Sequence, residues 1–280
     1  MARTKLPAWA NTEGIVYPPH LNMEQCSSEQ TAFYKQEIAV RLLKELPAES
    51  EPTFVDLTGG FGVDFSYMSK PFKKALYVER NEQLCSIATQ NFKCLGLNNI
   101  STKNGDSIEV LHQLDSVSVL FLDPARRNSS GGKVVSMADC EPNVLELCDE
   151  MVKKSHFVVL KLSPMLDWHS AVAQLKYVTE VHIVSVGNEC KELLLVLTDR
   201  NKTAKGCKSN TIQIYCVNDN NVFSYEEGIY SEGENIPQQR IFDRNATLPP
   251  YLYEPNASIM KAGCFAQLSE TYGVAALGHN

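Results

Sequence analysis

The chain has 280 residues with a net charge of −7, 44% apolar and 21% charged, the make-up of a soluble globular protein of one large or two smaller domains. That balance excludes a global basic field, so a nucleic-acid partner would have to be held by a local patch. No apolar run approaches the roughly 20 residues of a membrane span, and the stretch from Met1 to Trp9 lacks the apolar core of a secretion signal, so a cytoplasmic location is expected.

Residues 1 to 26, with Pro7, Pro18 and Pro19 among Trp9 and Tyr17, suit an irregular arm lying on a surface. From Ser27 the pattern predicts a helix that ends before Pro47: Ser27 and Gln30 are spaced as a capping box, and Phe33, Ile38, Leu42 and Leu46 trace an apolar stripe. A βα rhythm follows. Strands are predicted at Thr53 to Asp56, Lys74 to Glu79, Ile100 to Asn104, Val117 to Leu122 and Phe157 to Leu162. Helices are predicted at Val63 to Ser69, Asn81 to Leu95, Ser107 to Leu114, Glu141 to Lys154 and Trp168 to Leu175. Near-continuous apolar strands alternating with helices specify a parallel sheet covered on both faces, which binds ligands at the carboxyl ends of its strands. Val181 to Val186 and Leu193 to Leu197 are separated only by G-N-E-C-K-E, too short for a parallel crossover, so this pair is expected to be an antiparallel hairpin.

After Thr198 the texture shifts to a polar linker. T-I-Q-I-Y-C-V and N-V-F-S-Y then alternate like a hairpin around Asn218 to Asn220, and Ala257 to Tyr272 reads as a helix. The final A-A-L-G-H-N has no cap, which reads as a cut inside a second domain, with Met1 as an introduced start. Expected divisions are an N-terminal arm and helix over 1–50, a sheet domain over 51–200 and a partial α+β domain over 201–280. Nine cysteines form no C-x-x-C pair and no Cys/His cluster, so reduced thiols and no metal site are expected.

The organising stretch is T-F-V-D-L-T-G-G-F-G-V-D, Thr53 to Asp64. A strand that stops at a carboxylate and turns through glycines suits a nucleotide-type pocket, because the turn needs residues without Cβ and the next helix offers unpaired N–H groups. Four carboxylates fall at strand ends: Asp56, Glu79, Asp106 and Asp123. Glu79 lies 17 residues past Gly62, where a βαβ unit places an acceptor for a ribose diol. Each acid is also a plausible cap for the helix after it, Asp106 most of all.

A doubly wound sheet finishing in a hairpin resembles the class I S-adenosylmethionine-dependent methyltransferases, which are Rossmann-like. That resemblance implies a turn holding the amino-acid part of S-adenosylmethionine at Asp56, Thr58, Gly59, Gly60 and Gly62, with the ribose at Glu79 beside Arg80. It puts the adenine at Asp106 and Ser107, and Asp123 at the junction of cofactor and acceptor. Asp123-Pro124-Ala125-Arg126-Arg127 resembles the Asp-Pro-Pro-aromatic segment of enzymes that methylate base amines, where the acid and a carbonyl accept from the amine. Here Ala125 and Arg126 replace the second proline and the aromatic residue, which leaves the target atom open. Asp123, Pro124 and Arg126 are the expected catalytic residues, and Arg126, Arg127 and Lys133 the expected holders of substrate. Together with Q-C-S-S-E-Q-T-A-F-Y-K, L-K-L-S-P, S-V-G-N-E-C-K-E and Y-L-Y-E-P-N-A-S-I-M-K-A-G, these motifs resemble a bacterial methyltransferase family with a THUMP-like C-terminal domain. That implies structured RNA, rRNA or tRNA, as substrate, methylated on a base, and Gln25, Ser27 and Thr31 near the methionine end of the cofactor. An RNA-binding protein whose methyltransferase fold no longer catalyses, a methyltransferase with another substrate, and a dinucleotide-dependent oxidoreductase remain alternatives.

Overall fold

The structure, a computed structural model, describes residues 2–18, 20–46, 51–126, 137–202, 211–228, 239–243, 247 and 249–278. Five strands run parallel: β1 (Thr53–Asp56), β2 (Lys74–Glu79), β3 (Ile100–Asn104), β4 (Val117–Leu122) and β5 (Ser155–Leu162). Every residue of β4 is buried, so its V-S-V-L-F-L needs a covered face on either side. β6 (Val178–Val186) and β7 (Glu189–Leu197) form the expected antiparallel hairpin, with β7 inserted between β5 and β6. Its connection is two residues rather than six: Gly187 and Asn188 both take positive φ, the turn whose twist matches that of the flanking strands.

β8 (Thr211–Asn218) and β9 (Asn221–Gly228) make the next expected hairpin. They do not begin a sheet of their own, because β8 pairs in parallel with β6 and the polar stretch after Thr198 leaves the ladder unbroken. The nine strands lie in the order β3-β2-β1-β4-β5-β7-β6-β8-β9.

Helices cover both faces. On one lie α1 (Glu29–Leu43), α2 (Val63–Met68) and α3 (Glu82–Cys94), whose Ile38, Leu42, Phe65, Met68 and Phe92 meet Phe54, Tyr77, Phe121 and Val159. On the other lie α4 (Ser107–Gln113), α5 (Val144–Lys154), α6 (Trp168–Gln174) and α7 (Ala257–Ala262). α8 (Phe265–Tyr272) follows α7 after Gly263, whose positive φ breaks the single helix expected over Ala257 to Tyr272. α5 starts at Val144, capped by Asn143, later than expected. Cys140–Glu141 instead pairs with Ala125–Arg126, and the Glu141–Pro142 bond is cis.

The start of the chain also departs from expectation. Residues 2–25 contain three short helices, Ala2–Lys5, Pro7–Ala10 and His20–Gln25, and Leu6 and Trp9 are buried against Phe61, Val63 and Tyr67. In α1 the cap is Ser28, whose Oγ accepts from Thr31 N, and not Ser27. Phe33 is 51% exposed, because the buried stripe runs through Thr31, Ala32, Lys35, Ile38, Ala39 and Leu42. Among the described residues no helix is long and apolar enough to cross a membrane.

Candidate active site

The glycine turn is strung between two strands. Leu57 N donates to Phe121 O of β4, Gly59 N to Val78 O of β2, and Asp123 N to Thr58 Oγ1 at 2.6 Å. A Cβ at Gly59 would lie 2.0 Å from the Tyr77 ring, and one at Gly62 (φ +87°) 2.6 Å from Phe92, so both glycines let the turn close on its walls. At Gly60 (φ +54°) the nearest atom to a Cβ would be Thr58 O at 3.9 Å, so here the backbone conformation and not space asks for glycine. The N–H of Gly60 and that of Asn81 each donate to one oxygen of Glu79, at 2.8 and 2.7 Å. The carboxylate is thereby fixed, and each of its oxygens keeps a second lone pair for another donor.

Asp56 ends β1 with no exposure at all. Oδ1 accepts from Thr58 N at 2.9 Å, whereas Oδ2 has no partner among the described residues. Burial pushes this carboxyl well above the usual range, the Thr58 N–H opposes it, and Asp64, Asp123 and Glu79 add to the rise.

Beside the turn lies a knot of charge. Lys161 Nζ, from β5, donates to Asp123 Oδ2 at 2.7 Å, to Ser27 Oγ at 2.9 Å and to Asp64 Oδ2 at 3.2 Å. Lys35 Nζ, from α1, contacts Ser27 Oγ at 3.2 Å, Asp64 Oδ1 at 3.1 Å and Glu192 Oε2 of β7. The single Ser27 hydroxyl faces Asp64 Oδ2 at 2.7 Å and Glu192 Oε1 at 2.9 Å. Burial alone would raise the Asp64 carboxyl, but Lys161 and Lys35 hold it at about 2. Burial would lower the Lys161 amine, but Asp123, Asp64 and Glu192 overcome this and raise it well above its ordinary value. Asp123 is pushed up by desolvation, with Lys161 opposing. Asp123 is the open member of the knot: its side chain is 39% exposed, against 0% for Lys35, 10% for Asp64 and 6% for Glu192.

A methyltransferase candidate from Porphyromonas gingivalis W83, known by its crystal structure, is similar to this chain at 28% identity and a TM-score of 0.77, over 99% of this chain and 65% of that one. The fold is that of a Rossmann-like class I methyltransferase. This chain thus spans about two thirds of the Porphyromonas protein, 65% of its length. A candidate RNA methyltransferase from Pyrococcus horikoshii, PH1948, aligns at 13% identity and a TM-score of 0.48, over 70% of this chain and 93% of that one. The S-adenosylmethionine-dependent methyltransferase of Agrobacterium tumefaciens aligns at 15% and 0.43, over 60% of this chain and 61% of that one. A family model described as a ferredoxin-like domain matches residues 251–280. No curated protein matches the chain.

Within this methyltransferase fold, Asp56, Thr58, Gly59, Gly60, Gly62, Glu79 and Asp123 gather at the carboxyl ends of β1, β2 and β4. Ser27 joins them through Lys161. Thr31 is buried one turn on, its hydroxyl donating to Ser28 O, and Gln25 is exposed. Arg80 Nη1 pairs with Glu141 Oε1 at 2.7 Å across to the cis-proline segment. Asp106 caps α4, its Oδ1 accepting from Ile108 N and Glu109 N, and Ser107 is the first residue of that helix. Pro124 is buried and Arg126 sits in the two-residue ladder with Cys140, while the Arg126 side chain, Arg127 and Lys133 lie outside the described residues. Reasoning from sequence assigned no role to Lys35, Asp64, Lys161 or Glu192. The signal was a lone lysine inside F-V-V-L-K-L and a glutamate heading L-L-L-V-L, charges in strands otherwise buried on both faces.

Proposed function

We propose that this protein transfers a methyl group from S-adenosylmethionine to structured RNA, rRNA or tRNA. What supports the cofactor is the paired state of two carboxylates at one rim: Glu79, fixed by two backbone N–H groups with lone pairs to spare, and Asp56, with a buried oxygen that no described residue satisfies. A ribose diol suits the first, and a cationic or N–H donor suits the second. When bound, the cofactor supplies a methyl group on a positively charged sulfur. The chain's own task is alignment: the glycine turn and Glu79 orient the donor, and Asp123 orients the acceptor. The RNA substrate follows from the resemblance of the motifs, with Arg126, Arg127 and Lys133 as its cationic contacts.

Calorimetric titration with S-adenosylmethionine tests the reading. Wild type is expected to bind, and Asp56→Ala and Glu79→Ala to lose at least about tenfold in affinity, the loss of a charged hydrogen-bond partner. Undiminished binding in both variants would remove the assignment.

A further inference from the structure

The acceptor segment of this chain differs from one built for a base amine in a way that the geometry makes specific. An amine bound by an acid and a carbonyl gives one proton to each and gains positive charge as it is methylated, so a cation held against the acid works against it. Here Lys161 occupies Asp123 Oδ2 at 2.7 Å, while Oδ1 carries no bond from a described residue. One oxygen is therefore left for an incoming donor, on the only member of the knot that is more than slightly exposed. A second observation concerns protons. The Ser27 hydroxyl has one hydrogen but stands 2.7 and 2.9 Å from two carboxylate oxygens, so Asp64 and Glu192 share it and lean on the two amines for the rest of their bonds. Lys161 touches both Asp123 and Ser27 and so fixes the open carboxylate to the buried part of the knot.

We infer that the methyl acceptor is a hydroxyl oxygen, which on RNA is the ribose 2′-hydroxyl, with Asp123 as the proton acceptor and Lys161 as its positioning residue. This rests on the methyl-transfer reading above. A hydroxyl has one proton to give and Asp123 has one open oxygen to take it. The adjacent ammonium favours the negative charge that develops on an oxygen nucleophile, whereas an amine nitrogen develops positive charge, which that ammonium disfavours. In the step, Asp123 Oδ1 takes the hydroxyl proton while the oxygen lone pair forms the O–CH3 bond and the S–CH3 electron pair stays on sulfur. A sulfonium, an alcohol and a carboxylate become a thioether, a methyl ether and a carboxylic acid, and the acid returns its proton to solvent on its exposed side.

The test uses the whole chain with methyl-labelled S-adenosylmethionine and deproteinised RNA from cells lacking this gene, digested to nucleosides and analysed by mass. The expected product is a 2′-O-methylnucleoside. Label on a base, or cofactor binding by calorimetry without any transfer to RNA, would overturn the inference while leaving cofactor recognition standing. Failure to bind the cofactor would instead remove the methyl-transfer reading beneath it. Lys161→Met, which removes the charge that holds the Asp123 carboxyl down, is expected to lower transfer by about a hundredfold or more and to move the rise of the rate with pH to higher pH, with cofactor affinity within about threefold of wild type. Lys161→Arg, which keeps the charge, should restore part of the rate. A Lys161→Met variant that binds cofactor and keeps the wild-type pH profile would overturn the role of Lys161.

Discussion

Helix α1 sends two basic side chains to the sheet, Lys35 and Arg41, and they end in opposite kinds of site. Arg41 meets Glu180 through both guanidinium nitrogens, one at 2.8 Å. Glu180 also contacts His182 Nε2 at 3.0 Å, His182 Nδ1 contacts the Tyr34 hydroxyl at 2.8 Å, and the His182 ring stacks on Tyr215 at 4.5 Å and 6°. Glu180 serves both Arg41 and His182, one carboxylate against one permanent cation, and the patch reads as a clamp that fixes α1 to β6. Around Lys35 the pairing is shared rather than matched. Two amines and one hydroxyl serve three carboxylates, and one of those, Asp123, is left half-turned to solvent. Matched pairing is what a fold needs from buried charge, and unmatched pairing beside an open crevice is what chemistry needs.

The comparison can be broken in several places. The largest effect is expected at Asp123→Ala, which should reduce methyl transfer by about 10²–10⁴-fold with the melting temperature little changed, as a steady-state assay and a thermal melt would show. Lys35→Met leaves Glu192 and Asp64 short of a counter-charge in a dry site, and urea unfolding should show a loss of about 3–5 kcal/mol. Gly62→Ala forces a side chain into a left-handed backbone and against Phe92, which predicts a loss of roughly 1–3 kcal/mol by the same measurement. Arg41→Ala should cost less, about 1 kcal/mol, because its side chain is 35% exposed and solvent screens the pair.

The smallest effect is in the acid limb. Burial would raise the Glu180 carboxyl, but hydrogen bonds and charge from His182 and Arg41 bring it down to about 2, from an ordinary 4.5. A depressed carboxyl contributes stability that is complete above its unfolded value and fades as the pH falls through the folded one. Wild type should therefore lose stability between pH 4.5 and about 2, and Glu180→Gln should flatten that limb in acid-dependent melts.

Much of the scaffold was legible. The ends of β2 and β4 fall where the apolar runs stop, and β4, buried on both faces, declares itself locally. The short linker in the β6–β7 hairpin dictated an antiparallel pair for the same local reason. The glycine turn and Glu79 were legible through their spacing. The knot was not, since its members come from α1, α2, β4, β5 and β7, and Ser27 and Glu192 stand 165 residues apart. Even the cap of α1 depended on it. Of two adjacent serines, Ser28 is free to cap because Ser27 is drawn to Asp64 and Glu192, a choice that no capping rule contains. The join of β8 to β6 was hidden likewise, because a polar stretch between elements says nothing about which edge the next strand will take.

The insertion of β7 between β5 and β6 has a consequence for biosynthesis. The strand that delivers Glu192 to Lys35 leaves the ribosome after β1 to β6, so a nascent chain can hold its glycine turn and β1 to β5 while the amine of Lys35 still lacks its glutamate. Burial of Lys35 between both of its carboxylates thus waits for the insertion of β7.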